Sequence, residues 1–228
     1  VLRLGVTGTD TGVGKTLVAA AILALLRKRG LRVAAMKPVE TGVVRGSPDC
    51  DAVRLGKAAG ARVAPEDICP VMLPDALAPM AAAARAGAEI DLAAIDAAFT
   101  RLSAGRDAVV VESTGGLLAP ISARTAFADL FQHWRLDAVI VAANRLGAIN
   151  HTMLTVGAAR SAGLRVRGVV LHTIHDGPPS LAEEMNEVTL RALLNDVPIV
   201  TFPWVTDPRD PAALADVVDS CGLSALLA

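Results

Sequence analysis

The chain has 228 residues, a formal net charge of −1, and 53% apolar against only 3% aromatic residues, with no Tyr. That is enough chain for one α/β domain with a core of small aliphatic side chains. The balanced charge and the lack of a basic tract argue against nucleic acid as the main partner, and no apolar run approaches the ~18 residues that would suggest a membrane span.

The opening Val1-Leu2-Arg3-Leu4 leads straight into a strand and reads as no signal peptide. Strand candidates are Leu2–Val6, Arg32–Met36, Ala108–Val111, Ala138–Ala142, Val166–Leu171 and Ile199–Phe202. Each is short and nearly continuous in apolar character, as strands buried on both faces are. Between them lie Ala- and Leu-rich helix candidates: Thr16–Arg29, Asp51–Ala59, Leu92–Leu102, Phe127–His133, Asn150–Ala162, Ser180–Leu194 and Pro211–Ser220. The alternation predicts a single α/β domain over residues 1–228, a phosphate-loop (P-loop) NTPase-like, mostly parallel sheet with helices on both faces. Cys50, Cys69 and Cys221 are far apart and odd in number, so no disulfide framework or zinc site is expected and the setting reads as reducing and cytoplasmic.

In such a sheet ligands bind beyond the carboxyl ends of the strands. After the first strand comes Gly8-Thr9-Asp10-Thr11-Gly12-Val13-Gly14-Lys15-Thr16, opening a helix. Glycines turn backbone N–H groups toward an anion and the helix N-terminus adds positive charge, so the segment reads as a phosphate-binding loop. Lys15 would reach the β/γ-phosphates and Thr16 would ligate Mg²⁺. The spacing is unusual, with five residues rather than four between Gly8 and Gly14.

Lys37 follows the second strand, and an unpartnered Lys cannot stay in a core, so it should project from the sheet edge toward the phosphates beside Lys15. Thr41, four residues on, offers a hydroxyl to a substrate oxygen or is an ordinary turn residue. Asp51 begins a helix, either as a capping carboxylate, for which Asp49 competes, or as a metal ligand. Glu112 ends the third strand opposite the phosphate-loop Thr, and Gly115-Gly116 beyond it lets backbone approach a ligand. Asn150 and His151 read most simply as a helix cap and its neighbour. His133, His151, His172 and His175 lack metal-ligand spacing. Trp204, after Pro203, either stacks on a base or packs.

Taken in order, the phosphate loop, Lys37-Pro38-Val39-Glu40-Thr41-Gly42, Cys50-Asp51-Ala52, Val111-Glu112-Ser113-Thr114-Gly115-Gly116, Leu146-Gly147-Ala148-Ile149-Asn150-His151-Thr152 and Phe202-Pro203-Trp204 resemble the motifs of dethiobiotin synthetases, the ATP-dependent carboxylases of biotin synthesis. The resemblance implies a ligase that joins CO₂ to 7,8-diaminopelargonate and closes the ring to dethiobiotin, with ATP as co-substrate and Mg²⁺ as cofactor. It implies that Gly12, Val13, Gly14, Lys15, Thr16 and Leu17 hold the ATP phosphates and that Thr16, Asp51 and Glu112 hold Mg²⁺. Gly115 and Gly116 would border the nucleotide, with His172, Pro203 and Trp204 on its base side. Lys37 would be the catalytic lysine, with Thr11, Lys15 and Thr41 placing the carbamate. Asn150 would contact the substrate's far end across the interface of a cytoplasmic homodimer. The partners implied are thus small molecules, with no nucleic acid and no membrane.

Three departures stand out. His172 replaces an Asn that reads adenine in the family, which predicts looser nucleotide choice. Ser113-Thr114 replaces a small Gly-Ala pair, and Tyr is absent. The rival reading is a partitioning-type P-loop ATPase acting as a conformational switch. Such proteins carry a signature Lys where this chain has Asp10, and the segment Gly222–Ala228 forms no amphipathic tail.

Overall fold

The computed structural model describes residues 1–227; Ala228, the last residue of the Gly222–Ala228 segment, lies outside the described residues. β1 (Leu2–Gly8) and α1 (Lys15–Lys28) bracket the Gly-rich turn. Next come β2 (Val33–Met36), β3 (Val39–Thr41), α2 (Asp51–Ala59), α3 (Pro65–Ile68), β4 (Val71–Leu73), α4 (Pro79–Arg85) and α5 (Leu92–Ser103). They are followed by β5 (Ala108–Gly116), β6 (Pro120–Ser122), β7 (Thr125–Ala126), α6 (Phe127–His133), β8 (Asp137–Ala143) and α7 (Ala148–Ser161). β9 (Val166–His172), α8 (Leu181–Leu193), β10 (Ile199–Phe202) and α9 (Pro211–Ser220) complete the order, before a short 3₁₀ helix over Leu223–Leu227.

Six strands form one sheet in the order β10-β9-β8-β1-β5-β2, and every pairing in it is parallel. Parallel strands need crossover helices, and those cover both faces. On one face α1 packs between α2 and α9, and it is buried from Val18 to Leu26 because it meets neighbours on most sides. On the other face α5, α6, α7 and α8 bury Phe99, Phe127, Phe131, Val156 and Leu190 against the sheet. β1 sits centrally, and the chain crosses to opposite sides of it to form β5 and β8. That reversal is the switch point at which open α/β sheets bind ligands.

Several boundaries differ from the sequence reading for identifiable reasons. β5 does not stop at Val111: Glu112 pairs with Val6 and Gly116 with Gly8, so the polar tip remains in the ladder. α7 starts at Ala148 behind Gly147, whose φ of 92° ends the preceding loop, so Asn150 lies inside the first turn and is not the cap. β3, β4, β6, β7, α3 and α4 have two to seven residues each, too few to show a period.

Candidate active site

The phosphate loop is built by two constraints on its backbone. Gly14 caps α1 at φ 98°, and a Cβ there would lie 2.2 Å from Nδ1 of His172. Only glycine fits that conformation and that gap. Gly116 lets the tip of β5 close on the loop, since a Cβ there would stand 3.3 Å from the Gly8 carbonyl. Within the loop, Lys15 Nζ donates to the Asp10 carbonyl at 2.7 Å, and Asp10 Oδ1 accepts from the Thr11 N–H at 2.7 Å.

Beside the loop, four groups from four elements converge. Thr16 Oγ1, at the start of α1, donates to Glu112 Oε1 of β5 at 2.8 Å. Lys37 Nζ, just beyond β2, donates to the same oxygen at 2.9 Å and to Asp51 Oδ2 of α2 at 2.5 Å. Lys37 faces the same cavity as Lys15, as its position after a buried strand suggested, but it is only 3% exposed, because two carboxylates give its ammonium partners there. Burial works against its charge, but Glu112 and then Asp51 outweigh that and raise its pKa. Burial pushes the Glu112 carboxyl up, opposed by Lys37. Lys15 moves down, chiefly through burial, with Glu112 opposing. Glu112 Oε2 is buried and has no hydrogen-bond partner.

A cavity of about 710 Å³ opens over these groups. Its walls include Thr11, Gly12, Gly14, Lys15, Thr16, Leu17, Lys37, Thr41, Asp51, Glu112, Gly115 and Gly116, so one space gathers most of the residues singled out in the sequence. A second cavity of about 320 Å³ between α1, α2 and the start of α9 shares Thr16, Leu17 and Arg54 with it. Val13 is buried beneath the loop. His172 lies behind it, with Nδ1 3.0 Å from the Val13 carbonyl. A carbonyl only accepts, so Nδ1 carries the proton; burial holds the ring's pKa below its ordinary value, and Nε2 is left buried and unpartnered. Pro203 and Trp204 follow β10 and are exposed, Trp204 by 46%, so the indole is not packed into the core. Asn150 is exposed on α7, away from the cavity walls.

Sequence reasoning gave no role to several polar residues of this site. Glu40 and Arg54 line the cavity, and Thr114 Oγ1 donates to the Val39 carbonyl, tying the β5 tip to β3. Ser113 Oγ donates to Thr7 Oγ1 at 2.9 Å. The departing Ser113-Thr114 pair therefore joins neighbouring strands. Its signal was visible, two hydroxyls where small residues suffice, but their partners lie far away in sequence.

A Gly-Lys-Thr turn at a helix N-terminus, set at the switch point of a parallel sheet with a buried strand-borne carboxylate opposite the Thr, defines a P-loop nucleotide-binding protein. In keeping with this, an AAA-domain family model matches residues 3–204. The signal recognition particle receptor FtsY from Elizabethkingia anophelis shares the fold, with a TM-score of 0.50 at 14% identity, over 95% of this chain and 64% of that one. Sequence relatives are far more similar. The ATP-dependent dethiobiotin synthetase BioD of Anaeromyxobacter dehalogenans is 43% identical over 217 residues, 94% of this chain and 96% of that protein. That of Xylella fastidiosa is 39% identical over 92% of this chain and 93% of its own. The chain belongs to the dethiobiotin synthetase family.

Proposed function

We propose that this protein is an ATP-dependent ligase that carboxylates 7,8-diaminopelargonate and closes the cyclic urea of dethiobiotin. The observation that carries the reading is the convergence of Lys15, Lys37, Thr16, Asp51 and Glu112 on one cavity, in a chain that is similar to named dethiobiotin synthetases over nearly its whole length.

The chemistry needs no protein nucleophile. One amine of the substrate takes up CO₂ as a carbamate. A carbamate oxygen attacks the γ-phosphorus of ATP, ADP leaves, and a carbamic–phosphoric anhydride forms. The second amine attacks the anhydride carbonyl, phosphate departs with the bridging oxygen, and the ring closes. The protein's part is proximity and fixed positive charge. Two unit charges ~4 Å apart repel by ~4 kcal/mol at an effective dielectric of about 20. A carbamate and a triphosphate therefore need cations between them, which Lys15 and Lys37 supply. Gly12, Val13, Gly14, Thr16 and Leu17 cradle the phosphates, while Thr11 and Thr41 place the carbamate. Gly115 and Gly116 border the nucleotide. His172 supports the phosphate loop from behind through the Val13 carbonyl, and the exposed Pro203 and Trp204 are assigned to the base side.

The donor set suits a hard divalent cation. Glu112 Oε2 is a buried oxygen lacking a partner, and Thr16 and Asp51 stand beside it. Mg²⁺ takes one or two carboxylates and completes its shell with water and phosphate oxygens. Thr16, Asp51 and Glu112 would hold it, and when bound it would neutralise charge on the triphosphate. A homodimer is assigned on the family resemblance and on α7, where exposed Asn150 and Leu154 stand four residues apart on one face. We place the protein in the cytoplasm; no helix among the described residues is long and apolar enough to cross a membrane.

The test is to follow ADP release with each substrate omitted in turn. Release that requires both the diamine and bicarbonate, together with formation of the cyclic urea, is expected. Basal hydrolysis indifferent to both would instead fit the switch ATPase.

A further inference from the structure

α2 has an N-terminus that its own sequence does not cap. Its N-cap residue is Cys50, whose side chain accepts no hydrogen bond from the helix. An α-helix begins with N–H groups that lack helical partners, and burying them unpaired is costly. Here the partner comes from another element. Glu40, on β3, is 4% exposed. Its Oε1 accepts from the Asp51 N–H at 2.7 Å and its Oε2 from the Ala52 N–H at 3.3 Å. The next two N–H groups, of Val53 and Arg54, go to the Cys50 carbonyl. The first turn of α2 is thus accounted for, and half of its capping is a carboxylate set against the positive end of the helix.

The consequence falls on Asp51. Its backbone N–H is held by Glu40 while its side chain reaches Lys37. The segment between β3 and α2 is largely exposed and contains Gly42, Gly46, Ser47 and Pro48, so it supplies little rigidity of its own. Glu40 also sits three residues after Lys37 and one before Thr41. One buried carboxylate therefore fixes the α2 N-terminus against the corner that carries both.

We infer that Glu40 is a positioning residue of the catalytic site: by capping α2 from β3 it holds the Asp51 carboxylate in register with Lys37, Thr16 and Glu112. The inference rests on the reading of this cavity as a Mg²⁺–ATP site. It gives Glu40 no contact with the reacting atoms.

The experiment is a double-mutant cycle read by binding. The affinity of a non-hydrolysable imido analogue of ATP is titrated calorimetrically, with Mg²⁺ and with chelator, for the wild type, Glu40→Ala, Asp51→Ala and the double variant. Partners that orient metal ligands typically change metal affinity by about 10- to 100-fold when removed. Glu40→Ala is expected to weaken Mg²⁺-dependent binding by that order, leave binding in chelator near wild type, and cost little more in the Asp51→Ala background. Equal losses with and without Mg²⁺, independent effects of the two substitutions, or wild-type binding by Glu40→Ala would overturn the inference. If melting shows that Glu40→Ala does not fold, Glu40→Gln takes its place, since the amide keeps one acceptor oxygen. Its Mg²⁺-dependent loss must likewise vanish in the Asp51→Ala background. A wild type that fails to bind the analogue with Mg²⁺ would sink the Mg²⁺–ATP reading itself, which separates the two failures.

Discussion

Lys37 is held between two acidic side chains, and that arrangement gives one residue two separable effects. Its ammonium compensates Glu112, whose side chain is 1% exposed, and Asp51, whose side chain is 26% exposed. Removing one partner of a buried ion pair costs about 3–5 kcal/mol, because the other charge is left uncompensated. Lys37→Ala should therefore lower stability toward denaturant by up to that amount. The same variant should keep most of its nucleotide affinity, since the phosphate loop and Lys15 remain, and lose roughly 10²- to 10³-fold in kcat, the usual loss for a transition-state donor. Equilibrium unfolding, nucleotide titration and initial rates check the three parts. His172 makes a second prediction. Its folded pKa lies below its ordinary value of about 6.5 because the ring is buried, with the Val13 carbonyl opposing. Between the folded pKa and ~6.5 the unfolded chain binds more protons than the folded one, so this contribution is complete above ~6.5 and is lost as pH falls toward the folded pKa. The drop in melting temperature from neutral to mildly acidic pH should be smaller in His172→Asn than in the wild type.

At the scale of elements, the β8–α7 loop is held by α8. Asn186 donates to Asn144 Oδ1 at 2.8 Å and to the Arg145 carbonyl at 3.0 Å, and Asn144 donates to the Glu183 carbonyl at 3.1 Å. Asn186 is 3% exposed, so Asn186→Ala leaves buried acceptors unpaired and should cost about 1–3 kcal/mol in denaturant unfolding. The elements that sequence made legible are those with enough length to show a pattern. The core of each central strand, such as the apolar run Val109–Val111, announced itself. So did the phosphate loop, because its chemistry is local. Glu40 was hidden inside a legible motif, because the helix it caps begins eleven residues later and neither segment signals the other. The tip of β5 was read as a loop because Glu112 to Gly116 is polar. It stays a strand because Val6 and Gly8 pair with it. Lys37 was legible as a cation facing the cavity beside Lys15, but its burial was not, since that depends on partners from α2 and β5 that no local spacing reveals.

For the whole molecule, the exposed apolar residues are unevenly spread. Leu146 and Leu154 lie at or near α7, and Leu181, Met185 and Val188 recur at helical spacing on α8. If these helices form the face between two copies, Leu154→Asp should convert a dimer to a monomer in sedimentation equilibrium while leaving the far-UV spectrum of the fold unchanged. The central step proposed is attack by a carbamate oxygen on the γ-phosphorus inside the cavity of Lys15, Lys37 and Glu112, and one label follows that oxygen. In a single turnover started with oxygen-18 carbon dioxide and quenched before exchange with water, the released phosphate should carry one labelled oxygen for each cyclic urea formed. Phosphate free of label, alongside normal product, would contradict attack by carbamate on ATP and with it the arrangement proposed for the site.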